Sequence, residues 1–60
     1  MPLIVVEMYE GRTTEQKKKL VEGLTKAFTD IGTPADAVQI ILNDHPKCNW
    51  GHGGKLASER

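Results

Sequence analysis

The chain has a single cysteine in 60 residues, Cys48, so no intrachain disulfide can form. That fits a reducing compartment. Charge of neither sign dominates: eight Lys and Arg balance eight Asp and Glu, which gives no electrostatic footprint for nucleic acid or an anionic membrane. No apolar run approaches the ~20 residues of a membrane span, and the N-terminus has no charged region leading into a signal-peptide core. Internal repeats, low-complexity stretches and linkers are absent. So are a P-loop, a dinucleotide fingerprint and a nucleophile elbow.

What is present is one domain, residues 1–60. A chain this short buries only about 60% of its unfolded surface and is marginal alone. With no disulfide, association with further copies is the economical remedy. The reading is a soluble cytoplasmic protein that forms oligomers.

Leu3-Ile4-Val5-Val6-Glu7-Met8-Tyr9 is rich in β-branched and apolar residues and predicts a strand buried on much of both faces. Thr13 and Gln16 have capping-box spacing. A helical pattern follows from Thr14 to Ile31, with Leu20, Leu24, Ala27, Phe28 and Ile31 on one stripe and Val21 beside them. Lys17, Lys18, Glu22 and Lys26 fall largely outside it, as a solvated face. Gly32 and Pro34 end the helix. Ala37 to Asn43 predicts a second strand. The fold class is therefore α/β (α+β): one βαβ unit with parallel strands and a right-handed crossover. The tail, with Gly51, Gly53 and Gly54 around Trp50 and His52, predicts turns and a short hairpin reaching onto a neighbour.

Pro2 is the first candidate for chemistry. A proline is tolerated at the start of a strand. Once Met1 is removed, however, Pro2 carries a free secondary amine. Burial disfavours its charged form, and the neutral amine can take a proton from carbon beside a carbonyl. Arg12, at the strand end, offers a fork for a carboxylate. Trp50 offers an apolar wall that keeps water from an amine. His45, Cys48 and His52 have a spacing that invites a metal reading, but three ligands without a fourth make a poor structural zinc site, so no metal is expected. Nothing in the sequence identifies a base for Cys48 as a nucleophile.

Pro2, the Glu10-Gly11-Arg12-Thr13 turn, Glu15-Gln16-Lys17, the Val38 to Leu42 strand, Trp50-Gly51, Gly53-Gly54 and Leu56-Ala57-Ser58 together resemble the 4-oxalocrotonate tautomerase (2-hydroxymuconate tautomerase) family. The resemblance spans essentially the whole chain. It implies loss of Met1, an exposed proline amine as general base, no cofactor and no metal. It also implies hexamers built from βαβ protomers, and an isomerase of small carboxylate substrates in aromatic compound catabolism. By position, Pro2 is the base, Arg12 binds a substrate carboxylate, and Trp50 stands where the family has an aromatic residue lining the site.

Two positions depart from that pattern. The family's second-strand arginine, supplied by a neighbouring subunit, is matched here by Gln39, which can donate a hydrogen bond but brings no positive charge. Substrates with one carboxylate, compensation by another cation such as Lys47, or a low-activity subunit that assembles with a paralogue follow as alternatives. His52 stands where hydratase and dehalogenase relatives carry a water-activating glutamate, so a hydratase/dehalogenase-like member using His52 is another alternative. Tyr9 replaces the extra arginine of the dehalogenases and is expected to line the pocket instead.

Overall fold

The structure is a computed structural model and describes residues 1–59. Strand β1 (Leu3–Tyr9) leads into helix α1 (Thr14–Thr29), and β2 (Gln39–His45) returns parallel to β1. Strands β3 (Gly51–His52) and β4 (Lys55–Leu56) form an antiparallel hairpin. Its two-residue connection, Gly53-Gly54, has positive φ at both positions (65° and 83°), the backbone a tight hairpin turn needs and glycine adopts without strain. Short 3-10 turns occupy Ala35–Ala37, Lys47–Asn49 and Ala57–Glu59. The expected βαβ unit with parallel strands and the C-terminal hairpin are both present.

Leu3 pairs with Gln39 and Tyr9 with His45, so the register is in step along the whole ladder. A strand's side chains alternate between faces. Ile4, Val6 and Met8 therefore share one face with Ile40, Leu42 and Asp44. Lys17 of α1 meets Asp44 at 2.5 Å, which places the helix over that face. The opposite face carries Leu3, Val5, Glu7 and Tyr9 beside Gln39, Ile41, Asn43 and His45. It is uncovered in the single chain: Leu3 is 55% exposed, Val5 50% and Ile41 47%. The expectation of a first strand buried on both faces thus holds for one face only, because one helix can cover only one side.

The capping box forms as its spacing predicts. The Thr13 hydroxyl accepts from the Gln16 N–H at 3.1 Å, and the Gln16 side chain accepts from the Thr13 N–H at 2.9 Å. Such a cap is worth about 1 kcal/mol. The helix ends at Thr29, not Ile31. Ile31 and Gly32 donate to the carbonyls of Phe28 and Thr29, both at 3.1 Å, which tightens the last turn, and Gly32 follows at φ 101°. Ile31 is consequently exposed and off the stripe, as is Ala27. The half-buried face is built on Leu20, Val21, Leu24 and Phe28, joined by Lys17, Thr25 and Thr29. Lys17 is therefore not part of the solvated face.

The second strand runs Gln39–His45, two residues later than the apolar run suggests. Ala37 and Val38 donate back to Pro34 and Ala35 at 3.0 and 3.2 Å, so the segment after Pro34 turns before it extends. Pro46 then ends the strand, since it has no N–H for the ladder.

Met8 is the only buried residue among the described residues. The radius of gyration is 14.5 Å, against roughly 10 Å for a compact chain of this length. The molecule is a thin slab, 43 × 23 × 14 Å, with one side of its sheet bare.

Candidate active site

The expected site residues fall into two groups at opposite ends of the sheet. At one end, the Gln39 N–H donates to the Pro2 carbonyl at 3.0 Å, so Pro2 and Gln39 are neighbours across the first rung of the ladder. At the other end, the Tyr9 and Trp50 rings meet edge to face with centroids 4.6 Å apart, and Arg12 Nη1 donates to the Tyr9 carbonyl at 3.0 Å. Gly11, at φ 116°, turns the chain between Tyr9 and Arg12. The seven residues of β1 separate the two ends by roughly 20 Å at about 3.3 Å each. His52 lies on the hairpin, across from Lys55.

Trp50 is held from both sides. Its N–H donates to the Lys47 carbonyl at 3.2 Å, and its own carbonyl accepts from the Ala57 N–H at 2.7 Å. These two main-chain bonds tie the Trp50 backbone to the turn before it and to the segment after the hairpin. Lys47 brings its ammonium over the Tyr9 ring, 5.6 Å from the centroid, within range of a cation–π contact.

Sequence reasoning missed a polar cluster on the bare face. Glu7 Oε1 meets His45 Nε2 at 2.5 Å, and Asn43 Nδ2 donates to Glu7 Oε2 at 3.2 Å. The bond to His45, then that to Asn43, holds the Glu7 carboxyl below its ordinary pKa. The His45 ring also meets Trp50, centroids 5.9 Å apart. Glu7, His45, Asn49, Trp50 and Gly51 line a shallow depression of about 260 Å³. The signal was available only through the register: Glu7 pairs with Asn43, and His45 is the next same-face position on β2. A larger concavity, about 380 Å³, runs along the helix at Thr14, Lys17, Lys18, Val21 and Glu22, and contains none of the expected site residues.

His45 is engaged with Glu7, and the Cys48 thiol lies 3.9 Å from the Asn49 side-chain oxygen. Among the described residues no three His, Cys, Asp or Glu side chains converge as a metal-binding group. No helix among them is long and apolar enough to cross a membrane.

The fold superposes on TomN, a 4-oxalocrotonate tautomerase homologue in the tomaymycin biosynthetic pathway, with a TM-score of 0.94 and 40% identity over 98% of this chain and 92% of that one. It also superposes on a heterohexamer 4-oxalocrotonate tautomerase from Chloroflexus aurantiacus (TM-score 0.89, 35% identity, 98% and 97% covered). Both define the class: a small α+β protomer of the 4-oxalocrotonate tautomerase fold. In sequence, the 2-hydroxymuconate tautomerase of Comamonas testosteroni is 42% identical over 60 residues, covering 98% of this chain and 95% of the relative. The family model described as "Tautomerase enzyme" matches residues 2–60, and the chain belongs to that family.

Proposed function

We propose that this protein is a cofactor-independent tautomerase that shifts a proton in an enol or unsaturated α-keto acid such as 2-hydroxymuconate, with Pro2 as general base. Removal of Met1 turns the Pro2 nitrogen from an amide into a secondary amine. That nitrogen takes the proton of the enol hydroxyl, and the resulting ammonium returns it to a carbon of the conjugated chain, so the base is regenerated. Arg12 anchors a carboxylate, and the Tyr9–Trp50 pair forms the apolar wall that favours the neutral amine. The Gln39 side-chain amide is the donor to the developing oxyanion, weaker than a cation would be.

The observation that carries this reading is the joined Tyr9–Trp50–Arg12 cluster: an aromatic wall and a carboxylate fork locked to the same strand end. Pro2 of the same chain is a sheet length away. The outer edge of β1 is unpaired among the described residues. A second copy of β1 laid antiparallel along that edge brings Pro2 of one copy beside Tyr9 and Arg12 of the other. The site is then shared between copies, in a cytoplasmic homohexamer that also covers the bare sheet face.

Pro2→Ala in protein whose mass shows Met1 absent tests this reading, with 2-hydroxymuconate turnover followed by ultraviolet absorbance. The expected result is a loss of at least about 100-fold in kcat with the assembly intact, within the range that a general base contributes. Undiminished turnover overturns the mechanism.

A second reading is favoured by the neutral Gln39: assembly with a paralogue that supplies an arginine. The solved Chloroflexus aurantiacus relative is itself a heterohexamer. This reading expects low activity alone and a rise on mixing with the partner chain.

A further inference from the structure

We propose that Lys47 is the second carboxylate-binding cation of this site, and that it directs the site toward unsaturated dicarboxylates rather than monocarboxylates. The inference rests on the site reading above, in which substrate lies against Tyr9 and Trp50 beside Arg12.

A linear dicarboxylate needs two positive groups, one for each end. Gln39 supplies none. Lys47 is placed by local structure rather than by chance. Pro46, at φ −67° and ψ 148°, opens the 3-10 turn Lys47–Asn49, and the Asn49 N–H donates to the Pro46 carbonyl at 2.9 Å. The same turn ends with the Trp50 backbone N–H on the Lys47 carbonyl, which links the lysine to the aromatic wall through one turn.

The Lys47 ammonium lies over the Tyr9 ring, while Arg12 is bonded to the carbonyl of that same residue. One tyrosine thus holds two cations, Lys47 over its ring and Arg12 on its backbone carbonyl. Lys17, Lys18 and Lys26 each face a carboxylate, Asp44, Glu15 and Asp30 respectively. Lys47 faces a ring and makes no ion pair among the described residues. A cation held over an aromatic face keeps its charge available to an incoming anion, since the ring offers no competing negative group.

The test uses a matched pair of ligands: muconate, a six-carbon diene with a carboxylate at each end, and sorbate, the six-carbon diene with one. Trp50 is the only tryptophan, so quenching of its fluorescence reports binding at the site directly. In the processed, assembled protein, muconate is expected to bind about tenfold tighter than sorbate, the difference between a charge-assisted and an absent contact. In Lys47→Gln the two ligands should bind alike, through loss of muconate affinity alone. Lys47→Arg should keep the preference, and Lys55→Gln serves as the control for general loss of charge. Sedimentation confirms the assembly in each variant.

Equal binding of the two ligands by the parent overturns the proposal. So does a Lys47→Gln protein that retains the tenfold preference. Pro2→Ala should keep that preference whatever it does to turnover. A failed proline mechanism and a failed Lys47 assignment therefore give different results.

Discussion

The Pro2 carbonyl accepts the Gln39 backbone N–H at 3.0 Å, which fixes the candidate base and the candidate oxyanion donor on adjacent strands of one copy. The position where the family resemblance expects an arginine from a neighbouring subunit is thus tied, in this chain, to its own Pro2. A side chain at position 39 starts next to the proline of the same copy.

That relationship sets an expectation for Gln39→Arg. Replacing a neutral donor by a charged one should stabilise the oxyanion more than the bound enol, so kcat toward 2-hydroxymuconate should rise about tenfold, with a smaller change in KM. Steady-state kinetics of the two proteins check it. An unchanged kcat would mean that residue 39 does not reach the reacting oxygen.

The split of the site along β1 has its own test. Pro2→Ala and Arg12→Ala should each be nearly inactive. Unfolded together, mixed in equal amounts and refolded, they should regain about a quarter of parental activity. Random association of copies pairs an intact Pro2 with an intact Arg12 at that frequency. A site contained within one chain would recover nothing.

Glu7 gives a pH dependence whose sign follows from its bonds. Its pKa is depressed in the folded chain by His45 and then Asn43. A depressed carboxyl contributes stability that is complete above its unfolded-state pKa and is lost as pH falls through the folded value. Glu7→Gln should therefore destabilise the protein at neutral pH and make little difference at the acid end, so its stability profile is flatter there. Because the Glu7 side chain is half exposed, solvent screens the pair and the effect is small. Denaturant titrations across the acid range measure it, and parallel profiles for parent and variant would remove Glu7 as a source.

Much of the architecture was readable from residue order. Leu3–Tyr9 was bounded by its own composition, and Thr13 with Gln16 marked the helix start, because both signals are local. The start of β2 was not, since Ala37 and Val38 are as apolar as a strand requires and only their return hydrogen bonds to Pro34 and Ala35 reveal a turn. Ile31 fits the helical period by count, yet the chain leaves the helix before reaching it. In the site, Tyr9, Arg12 and Trp50 were all proposed from sequence, and the structure brings them together. Their distance from Pro2 depends on strand direction and length rather than on residue type. The Glu7–His45 pair joins positions 38 apart in sequence and becomes visible only once the parallel register is known.

A protomer with Met8 as the one buried residue among those described has little to hold it folded before it meets another copy. Newly made chains would then be exposed to proteolysis until their number allows encounters, and surviving protein would rise more steeply than synthesis. Expression level would act as a threshold: a weakly transcribed gene would yield fragments, and modest induction would yield enzyme. In the proposed homohexamer, the bare sheet face would tie catalytic output to abundance.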